Sequence, residues 1–237
     1  MSIDLEDVPA GFRTAVTATL DSVGVSEGHL AVEIVTEERI RELNLRHVFD
    51  LRDVINRQRQ PNRPLRGTCP EVHELSIEPY RNEEMMSGIG AGTVSAPEAF
   101  AWVHEMYLRL MDEAAFPKLL HTLARPPAFP ALIHCTSGKD RTGFAVALVL
   151  SALGVPRATV IEDFMLSNVF RKDIRYLFSG EVQAELLHTL SGVQQTYLDG
   201  VLDHIDATWG SMDNYLQRGL GLTASARLHL QETLLES

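Results

Sequence analysis

Cys135 and Arg141 are the two residues whose types and spacing most constrain the chemistry open to this chain. They stand six positions apart in His134-Cys135-Thr136-Ser137-Gly138-Lys139-Asp140-Arg141-Thr142-Gly143. Five intervening residues form a loop whose backbone N–H groups can converge on an anion. A helix starting at the end of that loop aims its N-terminal dipole at the same point. The planar fork of an arginine can clamp two phosphate oxygens. The same positive field favours a thiolate at Cys135, a nucleophile placed for in-line attack on a bound phosphorus. The chemistry implied is transfer of a phosphoryl group to sulfur.

An arginine six positions after a cysteine arises by chance at about one in twenty from average residue usage. Cys69 supplies an internal control, since Leu75 stands at the matching position. Around Cys135 the signal is richer. His134 precedes it, Gly138 and Gly143 stand where tight backbone is needed, and Thr142 follows the arginine. The loop is not of the nucleotide-binding Walker type. Asp140 follows Gly138-Lys139 where Ser or Thr is required, and Ile133 occupies the place of the first glycine.

Thr136, Ser137, Gly138, Lys139, Asp140 and Arg141 are thus the candidate phosphate-binding residues. Thr142 is placed to donate its hydroxyl to the sulfur or to cap the helix. His134 is placed to order the loop from beneath. A leaving oxygen needs a proton, and Asp140, Asp50 and Asp53 are the candidate donors. Asp50 ends an expected strand, where sites of α/β sheets lie; its alternative is an ion pair with Arg52. Lys139 offers a second cation beside the phosphate. Residues 46–66 hold six arginines and two aspartates, a local surplus that suits a second phosphate or an acidic flank. The nine histidines form no H-E-x-x-H pair, and no metal or organic cofactor is expected.

These residues need a scaffold. Residues 30–35, 46–51, 73–77 and 131–134 read as strands. Thr36 looks like the N-cap of a helix running to about residue 44. The glycine-bearing stretch 81–97 reads as a loop. From Glu98, the residues Phe100, Val103, Met106, Tyr107, Leu110 and Met111 recur at helical spacing. Further helices are expected over 118–124, 141–153, 156–166, 180–190 and 193–208, and after Thr223. Strands alternating with helices before residue 155 predict an α/β fold: a central, mostly parallel sheet flanked by helices, with a helical C-terminal part from 156. No linker divides the 237 residues, so one domain is expected, with residues 1–35 as an atypical N-terminal segment.

Composition narrows the partners. Apolar residues make up 45% and the formal net charge is −11, which disfavours nucleic acid and anionic membranes as partners. Two cysteines, neither in a C-x-x-C pair, fit a reducing compartment. The acidic N-terminus does not begin like a signal peptide, and the longest apolar run, Phe144 to Val155, is too short to span a bilayer. A cytoplasmic location is expected, with export lacking a cleaved signal as the alternative.

The segment HCTSGKDRTG resembles the signature of bacterial tyrosine and dual-specificity phosphatases that also act on phosphoinositides. Val48-Phe49-Asp50-Leu51-Arg52 is similar to that family's D-L-R strand end, and the stretches 144–168 and 210–222 also read like it. The family's N-F-R-D-x-G-G opening is absent, and LAVEIVT stands there instead. The resemblance implies a cysteine-phosphatase-like fold and hydrolysis through a phosphocysteine at Cys135. It implies Arg141 as phosphate clamp and favours Asp140, before the arginine, as proton donor. Substrates would be phosphotyrosine, phosphoserine/threonine and phosphoinositides. The alternative from another class is an inactive protein that only binds phosphorylated ligands; Cys135, Arg141 and a candidate acid argue against it. Sulfur transfer or arsenate reduction would call for another loop length or further cysteines.

Overall fold

A computed structural model describes residues 44–62, 69–169, 174–175, 178 and 181–235. The expected strand 30–35, nearly all of the expected helix from Thr36, and the N-terminal segment lie outside them. Among the described residues, three parallel strands form the sheet: β1 (His47–Asp50), β2 (Glu71–Glu74) and β3 (Ala131–His134), in the order β2-β1-β3. His47 faces Glu71 on one side and Ala131 on the other, so the C-terminal ends of all three strands fall at one edge. β1 is central and nearly all buried, as expected of a strand covered on both faces. β2 is the most exposed of the three.

The helices are α1 (Val54–Arg59), α2 (Asn82–Gly90), α3 (Ala96–Leu110), α4 (Ala115–Leu123), α5 (Asp140–Leu153) and α6 (Arg157–Met165). They continue with α7 (Ala184–Ser191), α8 (Gln195–Trp209) and α9 (Ala224–Leu234). This is the α/β sheet with flanking helices and a helical C-terminal part that the residue pattern predicts. α5 is the hub, with nine of its fourteen residues buried, including Phe144, Leu148 and Leu150. It runs against β3, α3, α6 and α9. Gly154, in the left-handed region at φ +90°, ends it. One main apolar cluster joins Phe49 and Leu51 of the sheet to Tyr107, Phe116, Phe144, Phe164 and Tyr197 of the helices.

Several elements depart from the sequence reading. The expected loop 81–97 contains α2. Its glycines mask it, yet Gly88 answers to packing: a Cβ there would stand 2.7 Å from Val94 Cγ2. α3 starts at Ala96, earlier than expected. Ser95 and Glu98 form a reciprocal capping box and Pro97 lies in the first turn, where proline is tolerated. The expected strand 73–77 is β2 shifted toward 71. Backbone bonds still carry the chain alongside β1 beyond β2: Leu75 N–H donates to Asp50 O (2.9 Å) and Ile77 N–H to Leu51 O (3.4 Å). α1, capped by Asp53, buries no residue and so leaves no apolar stripe to read. Between α8 and α9 a turn at Met212–Asn214 passes into a π-helical stretch, Tyr215–Gly219, anchored by Tyr215 Oη donating to Met111 O at 2.6 Å.

Candidate active site

The loop 135–139 lies where β3 ends and α5 begins, at the C-terminal edge of the sheet. This is where open α/β sheets present their sites. Cys135 is 9% exposed. Gly138, at φ +70°, turns its backbone N–H inward, and that N–H donates to Cys135 Sγ at 3.2 Å. The left-handed backbone there favours glycine, which carries no Cβ to clash. α5 has no side-chain cap at Lys139, so its first N–H groups remain free to meet an anion.

Arg141 is fixed from behind. Its Nη1 donates to Ile77 O (3.1 Å) and Leu51 O (3.3 Å) and lies 3.9 Å from Asp53 Oδ2. Its Nη2 donates to Thr136 Oγ1 at 3.1 Å. The guanidinium therefore spans from the ends of the other two strands to the loop itself. Asp53 is nearly buried and accepts from Asn56 N–H at 2.8 Å as the cap of α1. Burial opposes its ionisation, but the Asn56 bonds and Arg141 outweigh that and hold its carboxyl below the usual range.

Asp140 sits on the rim. The buried Tyr107 Oη donates to its Oδ1 at 2.8 Å, and Lys139 Nζ approaches its two oxygens at 2.8 and 2.7 Å. Burial, and then the negative charge of Asp140, push the Tyr107 hydroxyl well above its ordinary value, so it stays protonated as a donor. The lysine expected beside the phosphate thus rests on its neighbour. Asp50, the other leading candidate acid, is fully buried. Arg52 grips it with Nε to Oδ1 (2.9 Å) and Nη2 to Oδ2 (2.7 Å), and Asn62 donates at 2.8 Å. Burial resists the charge, but these partners win and hold the carboxyl at about 2. It carries no proton to give at neutral pH.

His134 Nε2 lies 3.8 Å from Asp50 Oδ2. Burial lowers the imidazole below its usual value despite the nearby carboxylate, so it is neutral under the loop. Thr142 is buried, and its hydroxyl finds no hydrogen-bond partner here; neither of its expected bonds is formed. Of the arginine-rich segment, Arg52 also donates to Gln60 O (2.8 Å) and Arg57 to Ser76 Oγ (2.7 Å). These two act as struts, while Arg63 and Arg66 fall outside the described residues. Tyr107 is the site residue the sequence hid: it reads as one more apolar step in the α3 stripe, and only the fold shows its hydroxyl under Asp140.

The chain is 42% identical over 94 residues to a Cupriavidus necator protein provisionally named a tyrosine-protein phosphatase, covering 38% of this chain and 34% of that one. It is 34% identical over 122 residues to the triple specificity protein phosphatase PtpB of Mycobacterium tuberculosis, covering 45% and 44%. A tyrosine-protein phosphatase of Nostoc commune matches at 36% over 56 residues, 24% of this chain and 19% of that one. The matched segments therefore span less than half of each relative. Residues 31–236, most of the chain, match the tyrosine phosphatase family as a whole, and the chain belongs to that family.

Proposed function

We propose that the protein is a phosphoric monoester hydrolase working through a phosphocysteine at Cys135, within one phosphatase domain. The observation that carries this reading is the convergence of Gly138 N–H on Cys135 Sγ with the pinned Arg141 fork at the same loop. In the first step the thiolate attacks phosphorus, the S–P bond forms and the P–O bond to the leaving group breaks. Arg141 and the loop N–H groups hold the non-bridging oxygens. Asp140, protonated once Lys139 turns from it to the bound phosphate, gives its proton to the departing oxygen. In the second step water attacks phosphorus, Asp140 takes up its proton, the P–S bond breaks and inorganic phosphate leaves. Asp50 serves as the anchor of Arg52 and neighbour of His134, and Asp53 steadies Arg141. Tyr107 orients Asp140. The substrates we infer are phosphotyrosine, phosphoserine/threonine and phosphoinositides, in line with the relative named for triple specificity. The cysteine usage supports a cytoplasmic setting.

Cys135→Ser tests the central step. It should abolish turnover of para-nitrophenyl phosphate and leave the fold and vanadate binding intact, because a serine hydroxyl does not ionise in this loop. A variant retaining activity within about tenfold of the parent would overturn covalent catalysis at this residue.

A further inference from the structure

The opposite end of β1 carries a second cluster of chemistry-bearing side chains. His47 faces Glu71 across the β1–β2 register, and His73 lies two residues beyond Glu71, on the same face. His47 Nδ1 and His73 Nε2 stand 2.9 Å apart. Glu71 Oε2 is 3.8 Å from His47 Nδ1, and its Oε1 is 3.8 Å from His73 Nε2. The two imidazoles are held by ring packing: His73 stacks on the fully buried Phe49 at 4.8 Å, and His47 tilts against His73 at 5.1 Å. Both rings are mostly covered, whereas the Glu71 carboxylate is 69% exposed and leaves an entry path from solvent. No sequence spacing announces the set, because His47 and Glu71 meet only through strand pairing.

We propose that His47, Glu71 and His73 form a binding site for a transition-metal ion of the zinc class, with solvent as the fourth ligand. Zinc binds imidazole nitrogen and carboxylate oxygen at about 2.0–2.2 Å, so tetrahedral ligand atoms lie about 3.3–3.5 Å from one another. The imidazole nitrogens stand 2.9 Å apart, and a different Glu71 oxygen lies 3.8 Å from each of them; with one ligand atom per residue the three lie within 4.8 Å of one another, so shifts of about an ångström close a tetrahedral edge. Two imidazoles with one carboxylate disfavour calcium and magnesium, which take oxygen ligands. The site is three residues along β1 from Asp50, about 10 Å, at the opposite end of the strands from Cys135, which follows the last residue of β3. The metal has no step in the hydrolysis proposed above. Its effect would be to staple the exposed strand β2 to β1.

The test is titration of the metal-stripped full chain with Co²⁺ and Zn²⁺. Expected is one bound ion per chain, with the visible bands of a four-coordinate cobalt site and no sulfur-to-cobalt charge-transfer band. Zinc should raise the melting temperature. Glu71→Gln, an exposed change that leaves the fold intact, should weaken binding at least about tenfold. His47→Gln together with His73→Gln should abolish it, and Cys135→Ser should not alter it. Absence of binding by the parent chain would overturn the proposal, leaving only a histidine–histidine hydrogen bond. So would binding that survives both sets of cluster substitutions, or that disappears in Cys135→Ser.

Discussion

Arg141 holds four groups at once, and that geometry decides what a substitution there removes. Leu51 O, Ile77 O and the Asp53 carboxylate fix one nitrogen, and Thr136 Oγ1 receives the other. A lysine has one nitrogen on a flexible stem, so it cannot hold both strand ends and offer a flat fork to phosphate. Arg141→Lys should therefore lower kcat/KM at least about a hundredfold; a loss below tenfold, measured by steady-state kinetics, would mean the fork is not used. Asp140 invites a finer test. Asp140→Asn should slow an alkyl phosphate, such as phosphoserine or a short-chain phosphoinositide, far more than para-nitrophenyl phosphate. A nitrophenolate departs without help, and an alkoxide requires the proton. Equal losses on both substrates would show that Asp140 only shapes the loop. The candidates Cys135, Arg141 and Asp140 were legible because they sit within one heptapeptide. Tyr107 and the ion pair that occupies Asp50 depend on neighbours brought in by the fold. Asp50 and Arg52 stand two positions apart, which shows that they can pair, but only burial shows that the pair takes Asp50 out of proton transfer.

At the scale of elements, the site depends on how α5 is seated, and Gly143 sets one limit on that seating. A Cβ at Gly143 would meet Phe164 Cδ2 and Cε2 of α6 at 3.0 and 3.1 Å. Phe164 is 2% exposed and packs edge-on against Tyr107 at 5.9 Å, so its ring has little room to yield. Gly143→Ala should cost about 1–3 kcal/mol by overpacking, read as a lower urea midpoint at unchanged slope. Because Tyr107 backs Asp140, the same change should lower kcat on alkyl phosphates. An alanine variant as stable as the parent would show that α6 shifts freely against α5. Gly143 carried a signal in the sequence, as part of the loop signature, yet its physical reason is helix packing. The legible elements were those with a strong internal pattern: β3 with its apolar run, α3 with its stripe, α5 ending at Gly154. The missed ones lack such a pattern. α2 has one buried residue, Ile89, and α1 has none, so each is fixed by caps and neighbours that the local sequence does not display.

Across the whole molecule, two carboxyls, the fully buried Asp50 and the half-buried Asp163, pull stability in opposite directions as pH changes. Asp50 has a folded value of about 2, against 3.8 for a free carboxyl. Its stabilisation is present above about pH 4 and is lost as pH falls toward 2. Asp163, on α6, is the reverse case. Burial alone raises it to about 6. Below about pH 4 it is protonated in both folded and unfolded chains and makes no difference. Between about 4 and 6 the folded chain binds the extra proton, so stability falls as pH rises, and above 6 the full cost remains. A shift of about two units corresponds to about 3 kcal/mol as an upper bound. Asparagine has the same shape without the charge. Asp163→Asn should therefore match the parent near pH 4 and exceed it by about 1–3 kcal/mol at pH 7. Urea unfolding across this range checks the sign as well as the size. A variant no more stable than the parent at pH 7 would mean that the Asp163 carboxylate is solvated or paired in the folded chain. Should the variant gain stability and lose turnover together, the half-buried charge would be one that the site maintains at the expense of the fold.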